Sequence, residues 1–536
     1  MTVTLAVSDP DGDPVRVFVA GLPPGALWDE AARTVTFRPD FIQGGQSWPV
    51  EVTARSTSHV VTKTFTIEAN DSIQPPWPSV TADTVQAGGK QRKVALAQTT
   101  DDYLGSPGNT SDVFNANVLV PTAATASNRR PVRIVLHGFG GDAGSDGSAD
   151  EFHIHPGDPK NTYWWGYATA LPGGKATSGP VPPYTLRRVL HLVEWVLANY
   201  PGADPERVYV HGGSMGGAGA STLGLLWARH FCYARTSIGQ FIPANHRPSR
   251  LKQLATLWGT PEAALPLAEG APSVWEHLDL TRVLLEVPGA REQFISTKHG
   301  KDDPTVHFGA VVTRSLLTGR SYYEVVQQEH VGHYAIWDEG GHGSADPLLK
   351  GGWWDNGLSF IHDKTTFLRR DLAFPAFSGS SHDRDPGDGG PNGKVAKFSA
   401  EKGYAADETK PGDTGWNGQI AGAFNRFLRW DSAGIVDTVD AFTVRLRLAQ
   451  GDGKAPPEPG YPTYPSLGDR LDGDPPVSVD VTPRRVQAFR LRPGETVAWT
   501  YGAAAGTATA NERGEVTIPQ LPVTKDWTAL QLTRSP

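Results

Sequence analysis

Residues 207–221 read RVYVHGGSMGGAGAS and place Ser214 among glycines, directly after an apolar run. The alternation in 207–212 predicts a buried strand, and the small and apolar residues of 217–230 predict a helix. Between them lies the pattern G-x-S-x-G, in which bulky side chains two residues before or after the serine would clash. The stretch is either a tight turn with no further role or a turn that presents a nucleophile. Its place between a strand and a helix favours the nucleophile.

The residues around this turn also alternate between predicted strands and predicted helices. VRIVLHG at 132–138 and QFISTKHG at 293–300 are typical of strands. YTLRRVLHLVEWVLANY at 184–200 has the apolar spacing of an amphipathic helix, and FGAVVTRSLLTG at 308–319 predicts another helix. This alternation indicates a doubly wound, mostly parallel sheet that is covered on both faces.

Segments with a different sequence pattern flank this α/β region. Residues 1–72 contain short alternating strands separated by turn residues, and residues 436–536 return to the same pattern. A proline-rich linker occupies 73–80. The predicted fold class is therefore an α/β domain over 81–435, flanked by two small all-β sandwich modules.

Composition bounds the class of protein. The 536 residues are 38% hydrophobic and 20% charged, with a net charge of −8, which is typical of a soluble globular protein and argues against a nucleic-acid binder. No apolar run approaches the ~20 residues of a membrane-spanning helix, and the first residues read as strand and turn rather than as a signal peptide. The single cysteine, Cys232, excludes an intrachain disulfide and is expected to be a small buried residue.

A serine nucleophile needs a base, and the base needs an orienting acid. When the serine lies on such a turn, the partners follow in the order acid, then histidine. HGKDDPTV at 299–306 offers Asp303, with Asp302 as a close rival. EGGHG at 339–343 offers His342 in a glycine-rich loop, with His330 and His333 as rivals upstream.

The oxyanion formed during such a reaction needs hydrogen-bond donors. One predicted donor is the N–H of Met215, which follows the serine. The other is the N–H of Phe139, or else of Gly138, in HGFGG at 137–141 after a predicted strand. The alternative is that these glycines only turn the chain.

LHGFGG, DPERVYVHGGSMGG, HGKDDPTV and EGGHG together resemble the α/β-hydrolase superfamily. The sequence is most similar to the secreted esterases grouped with polyhydroxyalkanoate depolymerases and feruloyl esterases, and the likeness covers about 110–343. It implies a carboxylic ester hydrolase with Ser214, Asp303 and His342 as its triad, with Phe139 and Met215 as oxyanion donors and with no cofactor for catalysis.

Two further implications come from the flanking segments. Residues 1–72 resemble the immunoglobulin-like modules of bacterial extracellular proteins. Together with the esterase likeness, this implies a secreted protein that acts on a polymeric ester, such as a polysaccharide ester or a polyester. The lack of disulfides and the long segment after His342 depart from many secreted relatives.

Some residues outside the triad carry a second, weaker set of predictions. Two pairs of tryptophans could stack on substrate or pack in the core, namely Trp164, Trp165, Trp353 and Trp354. Three aspartates could bind a structural calcium ion or form a solvated turn, namely Asp383, Asp385 and Asp388. His153 and His155 lack the further ligands that a zinc site would need.

Two other functions compete with the esterase. One is a serine peptidase of the same fold. The other is a binding or adhesion protein whose hydrolase domain is inactive, although the intact serine, acid and histidine candidates count against it.

Overall fold

The computed structural model describes most of the chain. The described residues are 1–40, 42–56, 59–106, 112–171, 174–268, 272–287, 289–301, 303–338, 341–342, 365–388, 418–419, 422–425, 427–448 and 476–534.

Six short strands lie at the N-terminal end: β1 (Thr2–Thr4), β2 (Arg16–Ala20), β3 (Leu27–Asp29), β4 (Thr34–Thr36), β5 (Ser47–Arg55) and β6 (Val60–Glu68). They form two antiparallel three-stranded sheets, in the orders β1-β4-β3 and β2-β5-β6. A small apolar core joins them, made of Val17, Val19, Val35, Phe37, Val50 and Ile67. The strands confirm the short-strand pattern of the sequence, whereas the immunoglobulin-like assignment stays a prediction.

Eleven strands follow: β7 (Ser79–Val85), β8 (Gln91–Thr99), β9 (Val113–Pro121), β10 (Arg130–Leu136), β11 (Phe152–Pro156), β12 (Ala203–Gly213), β13 (Tyr233–Ser237), β14 (Phe294–Gly300), β15 (Gly332–Asp338), β16 (Phe374–Ser378) and β17 (Gly422–Phe424). All except β16 form one ten-stranded sheet in the order β17-β15-β14-β13-β12-β10-β11-β9-β8-β7.

This large sheet is mixed rather than mostly parallel throughout. The strands from β15 to β11 run parallel, but β17 at one edge and β9, β8 and β7 at the other edge are antiparallel to their neighbours. The short connection between β7, which ends at Val85, and β8, which begins at Gln91, accounts for the antiparallel pairing of these two strands, because parallel pairing needs a long crossover. The protein therefore has a mixed α/β fold built on one large sheet.

In the described part of the chain, seven helices accompany the sheet: α1 (Tyr184–Asn199), α2 (Met215–Leu226), α3 (Pro248–Trp258), α4 (Val274–His277), α5 (Leu280–Glu286), α6 (Gly309–Val312) and α7 (Tyr322–Gln328). The helix predicted at 184–200 is confirmed by α1. Within the described ranges, none of the helices has the length and apolar character that crossing a lipid bilayer demands.

The helix predicted at 308–319 is wrong for most of its length, because α6 ends at Val312. Tertiary hydrogen bonds override the local pattern there. The side-chain amide of Asn245 donates to the carbonyl of Thr313 at 2.8 Å, and the N–H of Ser315 donates to the carbonyl of Arg320 at 2.9 Å. These bonds draw the backbone away from the helical path.

The two faces of the central strands contact different cores. One face joins the core that contains the helices, through Val208, Val210, Ala234, Ile295, Ala335 and Trp337. The alternate residues join a second core made with C-terminal strands, through Tyr209, Tyr233, Phe294, Tyr334 and Ile336. Cys232 is buried in this second core, as expected. One face of the sheet is thus covered in part by β structure.

Eight strands complete the chain: β18 (Leu428–Trp430), β19 (Val436–Asp437), β20 (Ala441–Leu448), β21 (Val477–Arg484), β22 (Thr496–Tyr501), β23 (Ala504–Thr509), β24 (Ile518–Val523) and β25 (Thr528–Arg534). The earlier strand β16 pairs with β21, and β18 pairs with β20. The C-terminal β structure therefore uses residues from both sides of position 436, and the domain boundaries stay predictions.

Arg484, at the end of β21, links this β structure to the large sheet. Its side chain is fully buried, and its guanidinium contacts Glu515 at 2.6 Å and Glu292 at 3.2 Å. The same group donates to the carbonyl of His330 at 2.9 Å and to that of Glu329. Four acceptors, of which the carbonyl of Glu329 is buried, therefore share one buried cation.

We expect Arg484→Met to lower the free energy of unfolding by about 1–3 kcal/mol, because it leaves the buried carbonyl of Glu329 without its partner. Denaturant unfolding followed by fluorescence measures the change. Arg282→Met is the matched control, since Arg282 forms only a surface ion pair with Glu286 at 2.7 Å, worth about 0.3–0.5 kcal/mol. Equal losses in the two variants would contradict the role given to Arg484.

Candidate active site

Ser214 occupies the turn between β12 and α2 in a strained conformation. Its φ is 58° and its ψ is −121°, a combination that residues other than glycine rarely adopt. The backbone around it is held by hydrogen bonds: the N–H of Ser214 donates to the carbonyl of Ser237 at 2.9 Å, and the N–H of Ala218 donates to the carbonyl of Ser214 at 3.0 Å. The turn predicted from G-x-S-x-G is present between a strand and a helix, and the role of Ser214 as a nucleophile stays a prediction.

The glycines on both sides of Ser214 are required by close backbone contacts. A Cβ atom on Gly212 would lie 2.1 Å from the carbonyl oxygen of Gly216. A Cβ atom on Gly216 would lie 2.0 Å from the carbonyl oxygen of Leu136, at the end of β10. Neither contact can be relieved by rotating a side chain, so the spacing of the motif follows from backbone packing.

His342 and Asp303 form a hydrogen-bonded pair. The Nδ1 atom of His342 lies 2.8 Å from Oδ2 and 3.0 Å from Oδ1 of Asp303. The N–H groups of Thr305 and Val306 donate to Oδ1 of Asp303 at 2.7 and 3.0 Å. Asp303 is buried, and these donors fix the orientation of its carboxyl group toward the imidazole.

Sheet topology explains why these residues meet. Asp303 follows β14 and His342 follows β15, while Ser214 follows β12. These strands run parallel in one sheet, so their C-terminal ends lie along the same edge. Functional residues of open α/β sheets gather at this edge.

The rival histidines lie elsewhere. His333 is buried with its Nδ1 atom 2.8 Å from the carbonyl of Val331, and burial lowers its pKa to about 4. The Nδ1 atom of His330 lies 2.7 Å from Oγ of Ser378. Neither lines the cavity that holds Ser214. The rival acid Asp302 lies outside the described residues.

Ser214 and His342 line a common cavity of about 440 Å³. The rest of its described lining consists of Gly138, Phe139, Arg250, Gln253 and Thr305. Phe139 is half exposed, so the cavity opens to solvent near the loop that follows β10. The structure thus brings Ser214, His342 and the predicted oxyanion loop to one place.

The predicted oxyanion donors lie beside Ser214. Met215 is the first residue of α2, where backbone N–H groups have no partner within the helix and the helix dipole is positive. Phe139 lies in the loop after β10, which is braced from two sides. The N–H of Gly140 donates to Oδ1 of Asn161 at 2.6 Å, and the N–H of Asp158 donates to Nε2 of His137 at 2.9 Å.

The prediction that Trp164 and Trp165 stack on a substrate is wrong, because both side chains are buried and neither lines the cavity. The indole N–H of Trp164 donates to the carbonyl of His137 at 3.2 Å. Its ring also packs against α2 so closely that a Cβ atom on Gly219 would lie 2.5 Å from it. Their role in the structure is packing beneath the site rather than stacking on a substrate. Trp353 and Trp354 lie outside the described residues.

The three candidate calcium ligands have separate partners. Asp383 is half-buried and accepts from the N–H of Asn425 at 2.7 Å and from the amide of Gln327 at 2.9 Å, and its removal from solvent raises its pKa to about 7. Asp388 lies 3.0 Å from the guanidinium of Arg314, while Asp385 accepts from the N–H of Gly387 at 2.8 Å. In the part of the chain that the structure describes, no group of three acidic, histidine or cysteine side chains is placed to hold a metal ion. Structural calcium stays a prediction.

Sequence reasoning missed Arg250, Gln253 and Thr305 in the cavity lining. A usable signal existed for Arg250, which lies in α3 at the head of the series Leu254, Leu257 and Trp258. These residues are the buried face of the helix, and a cation on such a face is unusual.

The protein is similar to several solved hydrolase structures. An S-formylglutathione hydrolase from Agrobacterium tumefaciens matches 49% of this chain and 92% of its own at 14% identity, with a TM-score of 0.34. An acetyl xylan esterase from Paenibacillus sp. R4 matches 51% of this chain and 85% of its own at 11% identity, with a TM-score of 0.35. An acylaminoacyl peptidase from Pyrococcus horikoshii matches 55% of this chain and 50% of its own at 13% identity, with a TM-score of 0.31.

No protein-family model matches the chain, and no curated protein matches it. Similarity at this level does not assign the chain to a family, so its function has to follow from the residues of the site.

The close contacts at the turn predict how glycine substitutions behave. Gly216→Ala should lower the free energy of unfolding by about 1–3 kcal/mol or more, because the new methyl group overlaps a backbone carbonyl. Gly213→Ala is the matched control, since its Cβ atom would lie 3.9 Å from the nearest atom, the carbonyl oxygen of Ser237. Urea unfolding of both variants tests the prediction. A Gly216→Ala protein as stable as Gly213→Ala would show that the turn relaxes easily.

Proposed function

We propose that this protein is a serine hydrolase that cleaves carboxylic esters. Oγ of Ser214 attacks the acyl carbon while His342 accepts its proton, and the same histidine returns the proton to the departing alcohol. Water then attacks the acyl-enzyme by the same route in reverse. Asp303 holds the imidazole in the required orientation throughout.

The observation that carries this proposal is the combination of a strained Ser214 with an oriented His342–Asp303 pair at one cavity. A non-glycine residue in this conformation costs of order 1–3 kcal/mol and persists only where the surrounding structure enforces it. In a turn with no catalytic role, glycine would be expected at this position, because glycine adopts the conformation without that cost. Retention of serine beside a histidine–aspartate pair supports a catalytic role.

The oxyanion donors of the proposed reaction are the N–H groups of Met215 and Phe139. The first is supported by its place at the N-terminus of α2, and the second by the bracing of the loop after β10. A braced donor needs little reorganisation when charge develops on the carbonyl oxygen, which is the source of its catalytic effect. All the proposed steps use groups of this chain.

We favour an ester over a peptide as the substrate because ester cleavage demands less of the acid–base groups at the cavity. An amide nitrogen must be protonated as it leaves, whereas an alkoxide or phenoxide leaves more readily. Among the described lining residues, His342 is the one side chain of the general acid–base type. A polymeric ester substrate and a secreted location remain predictions from the sequence.

The proposed triad is tested by single substitutions. Ser214→Ala and His342→Ala should each lower kcat for a p-nitrophenyl ester by about 10³-fold or more, since triad members act as a unit. Wild-type protein should be labelled by a fluorophosphonate probe, and Ser214→Ala should not. Circular dichroism checks that each variant is folded.

Two matched controls accompany these variants. Ser221→Ala removes a buried serine from the same helix, where its hydroxyl donates to the carbonyl groups of Gly217 and Ala218, and should leave labelling intact. His330→Ala removes a rival histidine and should have a much smaller effect than His342→Ala. Labelling of Ser214→Ala, or collapse in His330→Ala with an active His342→Ala, would contradict the assignment. A wild-type protein that is never labelled would support the inactive binding protein instead.

The ester preference is tested with p-nitrophenyl esters and p-nitroanilides that share one acyl group. We expect kcat/KM for the ester to exceed that for the anilide by at least about 100-fold, because the aniline nitrogen must be protonated as it leaves whereas p-nitrophenolate leaves without protonation. Comparable values on both series would favour the peptidase.

A further inference from the structure

Arg250 places a buried positive charge at the wall of the cavity. It is the third residue of α3 and is 7% exposed. The cavity it lines is the one that holds Ser214 and His342. An arginine with so little exposure normally has a carboxylate partner.

The partners of Arg250 in the structure are neutral. Its guanidinium donates to the hydroxyl of Tyr163 and to the side-chain oxygen of Gln253, and it lies 3.4 Å from the carbonyl of Thr305. Its Nε atom is buried and has no hydrogen-bond partner among the residues that the structure describes. Within the described ranges, no carboxylate lies at ion-pair distance from this guanidinium.

The carboxylate of Asp303, the acid of the proposed triad, is already engaged. Asp303 accepts from two backbone N–H groups and faces His342, so it does not neutralise Arg250. Burial, and then the charge of Arg250, lower the pKa of the neighbouring His246 well below its ordinary value. The lowered pKa disfavours the charged form of His246, so the positive charge on this wall is that of the Arg250 guanidinium.

A buried cation with neutral partners is costly, because hydrogen bonds to neutral groups replace only part of its hydration. A carboxylate is the best-matched partner for the planar fork of an arginine, which can donate two parallel hydrogen bonds to it. A substrate that brings such a group into the cavity would supply the missing partner.

We propose that Arg250 binds a carboxylate of the substrate, so that the enzyme prefers esters whose acid or alcohol part is negatively charged. The inference rests on the proposed esterase function and adds the substrate class to it. Arg250 acts here as a specificity residue, since it binds a part of the substrate that does not react.

Two pairs of esters distinguish the acid side from the alcohol side. For the acid side, p-nitrophenyl hydrogen adipate is compared with p-nitrophenyl hexanoate. For the alcohol side, para-carboxyphenyl butyrate is compared with para-carbamoylphenyl butyrate, whose leaving group has similar electronic character. Each rate is corrected for hydrolysis without enzyme. In wild-type protein, the charged member of at least one pair should have the higher kcat/KM.

The variants are Arg250→Gln and Arg250→Lys, with Lys252→Gln as the matched control. The control removes a positive charge from an exposed position of the same helix. Arg250→Gln should lower the ratio of kcat/KM, charged over neutral ester, by about 10- to 100-fold, mainly through KM. Arg250→Lys should retain part of the preference, and Lys252→Gln should retain all of it.

The possible results separate the inference from the proposed function. Wild-type protein that hydrolyses both members of each pair equally would overturn the role of Arg250 but leave the esterase intact. An Arg250→Gln variant that loses charged and neutral activity in the same proportion would show that Arg250 only supports the structure. Failure of wild-type protein to hydrolyse any of the esters or to react with a fluorophosphonate would overturn the proposed function itself.

Discussion

Near Ser214, the end of β10, the loop that follows it and the start of α2 meet at distances that leave no room for a side chain. The start of α2 lies directly against the end of β10, because a Cβ atom on Gly216 would lie 2.0 Å from the carbonyl oxygen of Leu136. The loop that carries Phe139 begins at this same point. One packing constraint thus sets the position of the serine, of the first N–H groups of α2 and of the loop beside them. A larger residue at 216 would separate all of these together.

A second layer of buried residues holds that arrangement from below. The segment 158–165 includes Asn161, Tyr163 and Trp164, all with positive φ. Such conformations are unfavourable in isolation and persist where tertiary contacts enforce them. Here the contacts are with the site itself: Asn161 accepts from the loop after β10, Trp164 packs against α2, and Tyr163 accepts from Arg250. The segment therefore connects the serine turn, the predicted oxyanion loop and the cation of the cavity wall.

The parts of the site that could be predicted from the sequence are those with local causes. The G-x-S-x-G spacing is visible as a local pattern, because Gly212 contacts Gly216 within the motif, and the meeting of Asp303 with His342 follows from strand ends that share one edge of a sheet. The contact of Gly216 with Leu136 joins segments that are distant in the sequence and could not be predicted from the motif. The β cover of one sheet face could not be predicted, because apolar alternation in the central strands is the same whatever packs against it. Trp164 could not be assigned either, since a buried and a substrate-stacking tryptophan have the same sequence signature. The burial of Arg250 depends on how α3 packs against the cavity, which is a tertiary property.

The backbone N–H groups of Met215 and Phe139 and the guanidinium of Arg250 would affect the kcat and the KM of the proposed reaction differently. Charge on the carbonyl oxygen develops only in the transition state, so donors at Met215 and Phe139 would raise kcat. A substrate carboxylate carries its charge before, during and after the reaction, so a contact with Arg250 would stabilise bound substrate and transition state about equally. Such uniform binding lowers KM and leaves kcat nearly unchanged. In the proposed reaction, two roles that share one sign of charge would therefore be separate: the backbone donors beside Ser214 would act on the rate of the chemical step, and the guanidinium on the cavity wall would act on the choice of substrate.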